Sequence, residues 1–82
     1  PADLAMELNE TERTLFERLR HWRRELAVSR GVPSYVIFPD RTLLEIARSR
    51  PERAAELLEI AGVGERKAAQ YGDDVLDLIR AA

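Results

Sequence analysis

One run of adjacent apolar residues, Tyr35-Val36-Ile37-Phe38, lies inside GVPSYVIFPD between Pro33 and Pro39, and it constrains the fold class. A β-strand at this place would need a hydrogen-bonded neighbour, and no second β-type run exists in the chain to provide one. The two prolines would also remove donors from any ladder. The rest of the chain must therefore be helical, with this stretch as an extended connection between two helices. Four apolar side chains are costly to leave in water, so some of Val36, Ile37 and Phe38 are expected to plug a helical core while alternation turns their neighbours outward. Tyr35 is the one expected to keep its ring partly exposed.

Helical spacing supports this. Leu15, Leu19, Trp22 and Leu26 fall at i, i+4, i+7 and i+11 on one stripe of a long first helix. Asn9 or Thr11 can cap it, with Asn9 and Glu12 in capping-box register, and Gly31 before Pro33 ends it. A second helix opens at Asp40, whose carboxylate can accept from the first-turn amides, and carries Leu43, Ile46 and Ala47 inward to about Ser49. Ser49-Arg50-Pro51-Glu52 reads as a further start with Ser49 as cap, leading to a helix that buries Ala54, Leu57, Leu58 and Ala61. Gly62-Val63-Gly64 breaks it, and a last helical stretch carries Val75, Leu78, Ile79 and Ala82, with a bend or second cap expected at Gly72. The fold class is all-α, a bundle of four to five short helices with a hydrophobic extended loop between the first two. Residues 1–12 form a linker or N-terminal extension, and residues 13–82 form the domain.

Composition narrows the function classes. Eighty-two residues without cysteine allow one small core with neither disulfides nor thiolate metal ligands, which fits a reducing, cytoplasmic setting. No apolar segment approaches the roughly 20 residues of a membrane span, and PADLAMELNE lacks the features of a signal peptide. A chain that opens on proline is expected to be a piece excised from a longer one. Net charge is −2, but unevenly spread: −4 over residues 1–12, +5 over 13–50 and −3 over 51–82. His21 stands alone and is expected at the surface, so no metal site is expected. Asp73, Asp74 and Asp77 near a helix start suit the helix dipole without a cation.

LFERLRHWRRELA, then GVPSYVIFPDRTLLEIA, then Pro51 and LLEIAGVGERKAAQYGDDVLDLI resemble the HRDC domain, the helicase-and-RNase-D C-terminal module, in the style found at the C-terminal ends of bacterial RecQ DNA helicases. The patterns VPxYVIFxDxTLxEIA and IxGVGxxKxxxYG occur together at the right separation over residues 13–81. The resemblance implies a monomeric helical bundle that helps an ATP-dependent 3′-to-5′ helicase bind single-stranded or branched DNA in repair and recombination, or regulates it through contacts with the helicase core. A ribonuclease parent carries the same module. This fragment has no GxxxxGK[ST] loop, so ATP and magnesium belong to the parent's motor, and the fragment is expected to have no cofactor or enzymatic activity of its own.

Tyr35 could stack on an unpaired base or merely cover the core. Gly62 and Gly64, followed by Arg66 and Lys67, resemble half of a helix-hairpin-helix DNA element whose amides receive a phosphate, or make a purely structural turn with Glu65 satisfying those amides. Arg20, Arg24, Arg30 and Arg41 could follow a phosphate backbone, or be a solvated face paired with Glu17 and Glu25. A competing reading makes the domain an acidic docking module, with Glu56, Glu59, Asp73, Asp74 and Asp77 against a basic motor domain.

Overall fold

The computed structural model describes residues 7–82, which contain five helices and no strand. They are α1 (Glu10–Arg30), α2 (Ser34–Ile37), α3 (Asp40–Ser49), α4 (Ala54–Leu57) and α5 (Gly64–Ala81). The long α1 packs on α2, α3 and α5, while α4 lies against α5.

The start of α1 follows its capping signal. Asn9 accepts from the Glu12 amide at 2.8 Å while the Glu12 carboxylate accepts from the Asn9 amide at 3.0 Å. Its end is a glycine turn: Gly31 takes φ +69° and the Val32 amide donates back to the Ala27 carbonyl at 3.0 Å. Leu8 is buried in the core, ahead of the expected domain start at residue 13. The part of the expected extension before residue 7 lies outside the described residues.

The connection after α1 is not extended throughout. Ser34–Ile37 closes one helical turn between extended residues, with Pro33 before it and Phe38 after it. A turn allows two consecutive side chains, Ile37 and Phe38, to point inward, which strict alternation forbids. Both are fully buried, whereas Val36 remains 43% exposed.

Helix α3 buries Leu43, Leu44, Ile46 and Ala47 on its inner side. Its N-cap is Pro39 rather than an acidic side chain; the Pro39 carbonyl accepts from the Thr42 and Leu43 amides, and the Asp40 carboxylate turns instead to Arg23. The expected start at Ser49 does not form. Ser49 is still the last residue of α3, and Arg50 closes that helix with φ +47°. Helix α4 is a single turn from Ala54, where the Glu56 carboxylate accepts from the Glu52 amide at 2.8 Å. Leu57 is buried, but Leu58 is 42% exposed and Ala54 and Ala61 face solvent. Ile60 and Val63 supply the depth that those residues were expected to give.

Helix α5 runs unbroken through Gly72, contrary to the expected bend. Gly72 is buried beside α4, where a Cβ would meet Leu57 Cδ2 at the ordinary contact distance of 3.6 Å. Val75, Leu76 and Ile79 face the core, Leu78 is half-buried and Ala82 is exposed. At the centre Trp22, Phe38 and Tyr71 pack edge to face and tilted, with centroids 5.8 to 6.3 Å apart. Trp22, expected in the core, is half-buried at its edge.

Candidate nucleic-acid interface

A four-residue helix without a side-chain cap cannot hold itself together in water. Here Ile37 and Phe38 sink its exit into the core, and burial of two such side chains contributes roughly 3 to 6 kcal/mol. Tyr35 projects from this fastened turn and is 69% exposed. Beside it Val36 is partly exposed too, so the turn presents a small apolar surface to solvent.

Cations gather on the aromatic residues beneath the turn. Lys67 Nζ lies 5.5 Å from the centroid of the Phe38 ring, and Arg30 lies 5.8 Å from that of Tyr71. Each such contact is worth about 0.5 to 1 kcal/mol at an exposed site and holds a long side chain in place. Arg30 also donates to the Tyr71 hydroxyl, and Tyr71 packs edge-on against Phe38. The end of α1, the start of α5 and the Tyr35 turn are thereby linked through one aromatic cluster. None of the cation–ring contacts among the described residues involves Tyr35 itself.

The other expected basic residues are not held on this aromatic cluster. Arg20 pairs with Glu17 at 3.5 Å and stacks over Phe16, and Arg41 pairs with Glu7 at 3.1 Å. Arg24 and Arg66 are exposed with no ion-pair partner among the described residues, while His21 is exposed and faces Glu25 at 3.3 Å. Gly62 and Gly64 take φ +94° and +59° and lead directly into α5, whose first turn receives no side-chain cap, from Glu65 or otherwise. The turn is locked to α3: Thr42 Oγ1 donates to the Ala61 carbonyl at 3.1 Å, and a Cβ on Gly62 would collide with Thr42 Oγ1.

The residue that sequence reasoning missed is Arg23. Its charge alone would place it at the surface, yet only 7% of it is exposed; its Nη1 donates to the Phe38 carbonyl at 2.8 Å and its Nη2 meets Asp40 Oδ1 at 2.7 Å. The signal was available, because Arg23 stands four residues after Leu19 and four before Ala27 on the buried stripe.

The carboxylates divide into two places. Glu56 and Glu59, with Glu45 and Arg41, rim a cleft of 790 Å³ floored by Ile60 and Pro51. The Glu56 carboxyl is held below the usual carboxylate range, first by the Glu52 amide and then by Arg53. Asp73 and Asp74 are exposed on α5, and Asp77 pairs with Arg80 at 3.2 Å. Among the described residues no three His, Cys, Asp or Glu side chains converge as metal ligands, and no helix is long and apolar enough to cross a membrane.

Comparison with known proteins places this geometry among relatives. The family model described as HRDC domain matches residues 12–79. A Bacillus subtilis (strain 168) protein named ATP-dependent DNA helicase RecQ is 51% identical over 67 residues, 82% of this chain and 11% of that protein. A Mycobacterium tuberculosis (strain H37Rv) protein named ATP-dependent DNA helicase UvrD2 is 44% identical over 71 residues, 87% of this chain and 10% of its own length. The solved structure of D. radiodurans RecQ HRDC domain 3 superposes with a TM-score of 0.78 at 40% identity, covering 82% of this chain and 88% of that one. The chain thus spans about a tenth of the curated helicases it matches.

Proposed function

Because the chain belongs to the HRDC domain family, we propose that it is an accessory module of an ATP-dependent DNA helicase of the RecQ or UvrD type, adding weak contact with single-stranded or branched DNA. In this reading Tyr35 stacks on an unpaired base, and Arg30 and Lys67 attract the phosphates that flank it. ATP and magnesium serve the parent's motor, and the module itself turns over no nucleotide.

The observation that carries the reading is Tyr35, 69% exposed on a turn whose next two anchors, Ile37 and Phe38, are fully buried. A large ring kept in water forgoes the stability of burial, and a ring whose backbone is already fixed loses little entropy when a base lands on it. Stacking is indifferent to base identity, which suits a helicase that must travel over any sequence. The test is binding of a labelled oligothymidylate at several salt concentrations. Affinity in the micromolar range or weaker, with log affinity falling against log salt at the slope of a few phosphates, is expected. Salt-independent binding, or none at high micromolar strand, would refute it.

A second reading rests on the acidic cleft. Glu56 and Glu59 could receive a basic segment of the helicase core, and the net charge of −2 favours such an ally over a polyanion. Reversing the charge of Glu59 would then alter DNA affinity of the parent helicase while leaving that of the isolated domain unchanged.

A further inference from the structure

We infer that Arg23 is a positioning residue for the Tyr35 turn, a charged latch from inside the bundle that sets the direction in which the ring is displayed. The inference rests on the DNA-contact reading for its functional consequence, although the latch itself is a property of the free domain.

Burying a guanidinium among Phe16, Leu19 and Ala27 carries a desolvation cost, and an apolar side chain of similar volume would serve the core at least as well. Here the cost is compounded, since Arg23 Nε is buried without a partner. The two bonds that Arg23 does make both end on the segment that follows Tyr35. Nη1 holds the carbonyl of Phe38, the residue that closes α2, and Nη2 holds Asp40, the residue that opens α3. One rigid fork thus spans the joint between the two helices, a geometry that guanidinium supplies and ammonium does not.

Side-chain burial alone leaves this joint underdetermined. The Phe38 ring is fixed in depth by Trp22 and Tyr71, but ring packing does not dictate where the Phe38 carbonyl points. That carbonyl sets the exit from the turn, where the Phe38 amide to Ser34 carbonyl bond is long at 3.4 Å, against 3.0 Å for the Val36 amide to Pro33 carbonyl bond at its entry. With the carbonyl released, the backbone from Ser34 to Phe38 can rotate while its apolar side chains stay buried. The ring of Tyr35 then samples many directions, and a base that binds it must select one.

The experiment compares the wild type, Arg23→Met and Arg23→Lys by backbone ¹⁵N relaxation in the free domain, followed by oligothymidylate binding. Arg23→Met is expected to loosen residues 34–38 while residues 64–81 keep their order, and to weaken strand binding roughly three- to tenfold. Arg23→Lys, able to reach one acceptor but not both, should fall between the two and keeps the test open if the methionine variant does not fold. Loosening of the turn supports the latch even where no variant binds DNA, an outcome that would refute the DNA reading alone. A turn as rigid in both variants as in the wild type overturns the latch.

Discussion

Two single-turn helices interrupt the bundle, and they are held differently. Ser34–Ile37 is anchored through side chains, with Ile37 and Phe38 fully buried and a buried arginine fastened to the Phe38 carbonyl. Ala54–Leu57 sinks only Leu57, and the chain beyond it is held both by the buried Ile60 and Val63 side chains and at Gly62, which passes so close to Thr42 that a Cβ has no room. The first turn shows solvent an aromatic ring, whereas the second and its sequel show carboxylates. A turn whose exit is plugged by two adjacent buried side chains can present a neighbouring ring at a defined height; the second turn has one such plug of its own and shows no aromatic ring to solvent. That contrast is why Tyr35, rather than the Gly62-Val63-Gly64 turn, is the stronger candidate for contact with a strand.

Substitutions can break the contrast in decreasing order of effect. Phe38→Ala removes the plug of the first turn and should cost about 3 to 5 kcal/mol in urea denaturation, a large share of what a domain this small possesses. The counterpart Leu58→Ala, at the 42% exposed position of the second turn, should stay within about 0.5 kcal/mol. Gly62→Ala comes next. Its Cβ would collide with Thr42 while φ is held at +94°, and a loss of about 2 to 4 kcal/mol is expected, whereas Gly64→Ala, with nothing within 4 Å, should lose about 1 kcal/mol. Equal losses at the two glycines would remove the close approach from the explanation.

Tyr35→Ala should leave stability within about 0.5 kcal/mol and yet lower strand affinity about tenfold. If it destabilises the domain instead, the ring belongs to the packing. The smallest effect concerns Glu56. Its folded carboxyl titrates below the usual range, so its contribution to stability is present above the ordinary glutamate range and is lost as pH falls through the lowered folded value. Melting temperature followed against pH should show a slightly shallower acid decline for Glu56→Gln than for the wild type.

The sequence was most legible where local signals and burial agree. The Asn9–Glu12 box, the Leu15 and Leu19 stripe and the Gly31 stop mark both ends of α1, with Asn9 rather than Thr11 as its cap, and α3 ends at Ser49, near where its pattern points. Local signals misled where a contact distant in sequence prevailed. Ser49 and Glu52 have capping-box spacing, but α3 retains Ser49 and Arg50 turns left-handed, so the box has no helix to cap. Gly72 resembles a break and instead lies buried within an unbroken α5, packed beside Leu57. At the candidate site, the exposure of Tyr35 was readable from its place beside two apolar plugs. The joining of Arg30 to Tyr71 across 41 positions was not, because nothing in local spacing encodes it. Arg23 lay between these extremes: its helical phase put it on the buried stripe, and its charge argued the other way.

The central claim is most directly tested by titrating the ¹⁵N-labelled domain with a short single strand and mapping the amide and side-chain resonances that move. We expect the changes to concentrate at residues 34–36, Arg30 and Lys67, with the cleft around Glu56 and Glu59 silent. Movement confined to that cleft, or no movement at high micromolar strand, would contradict it.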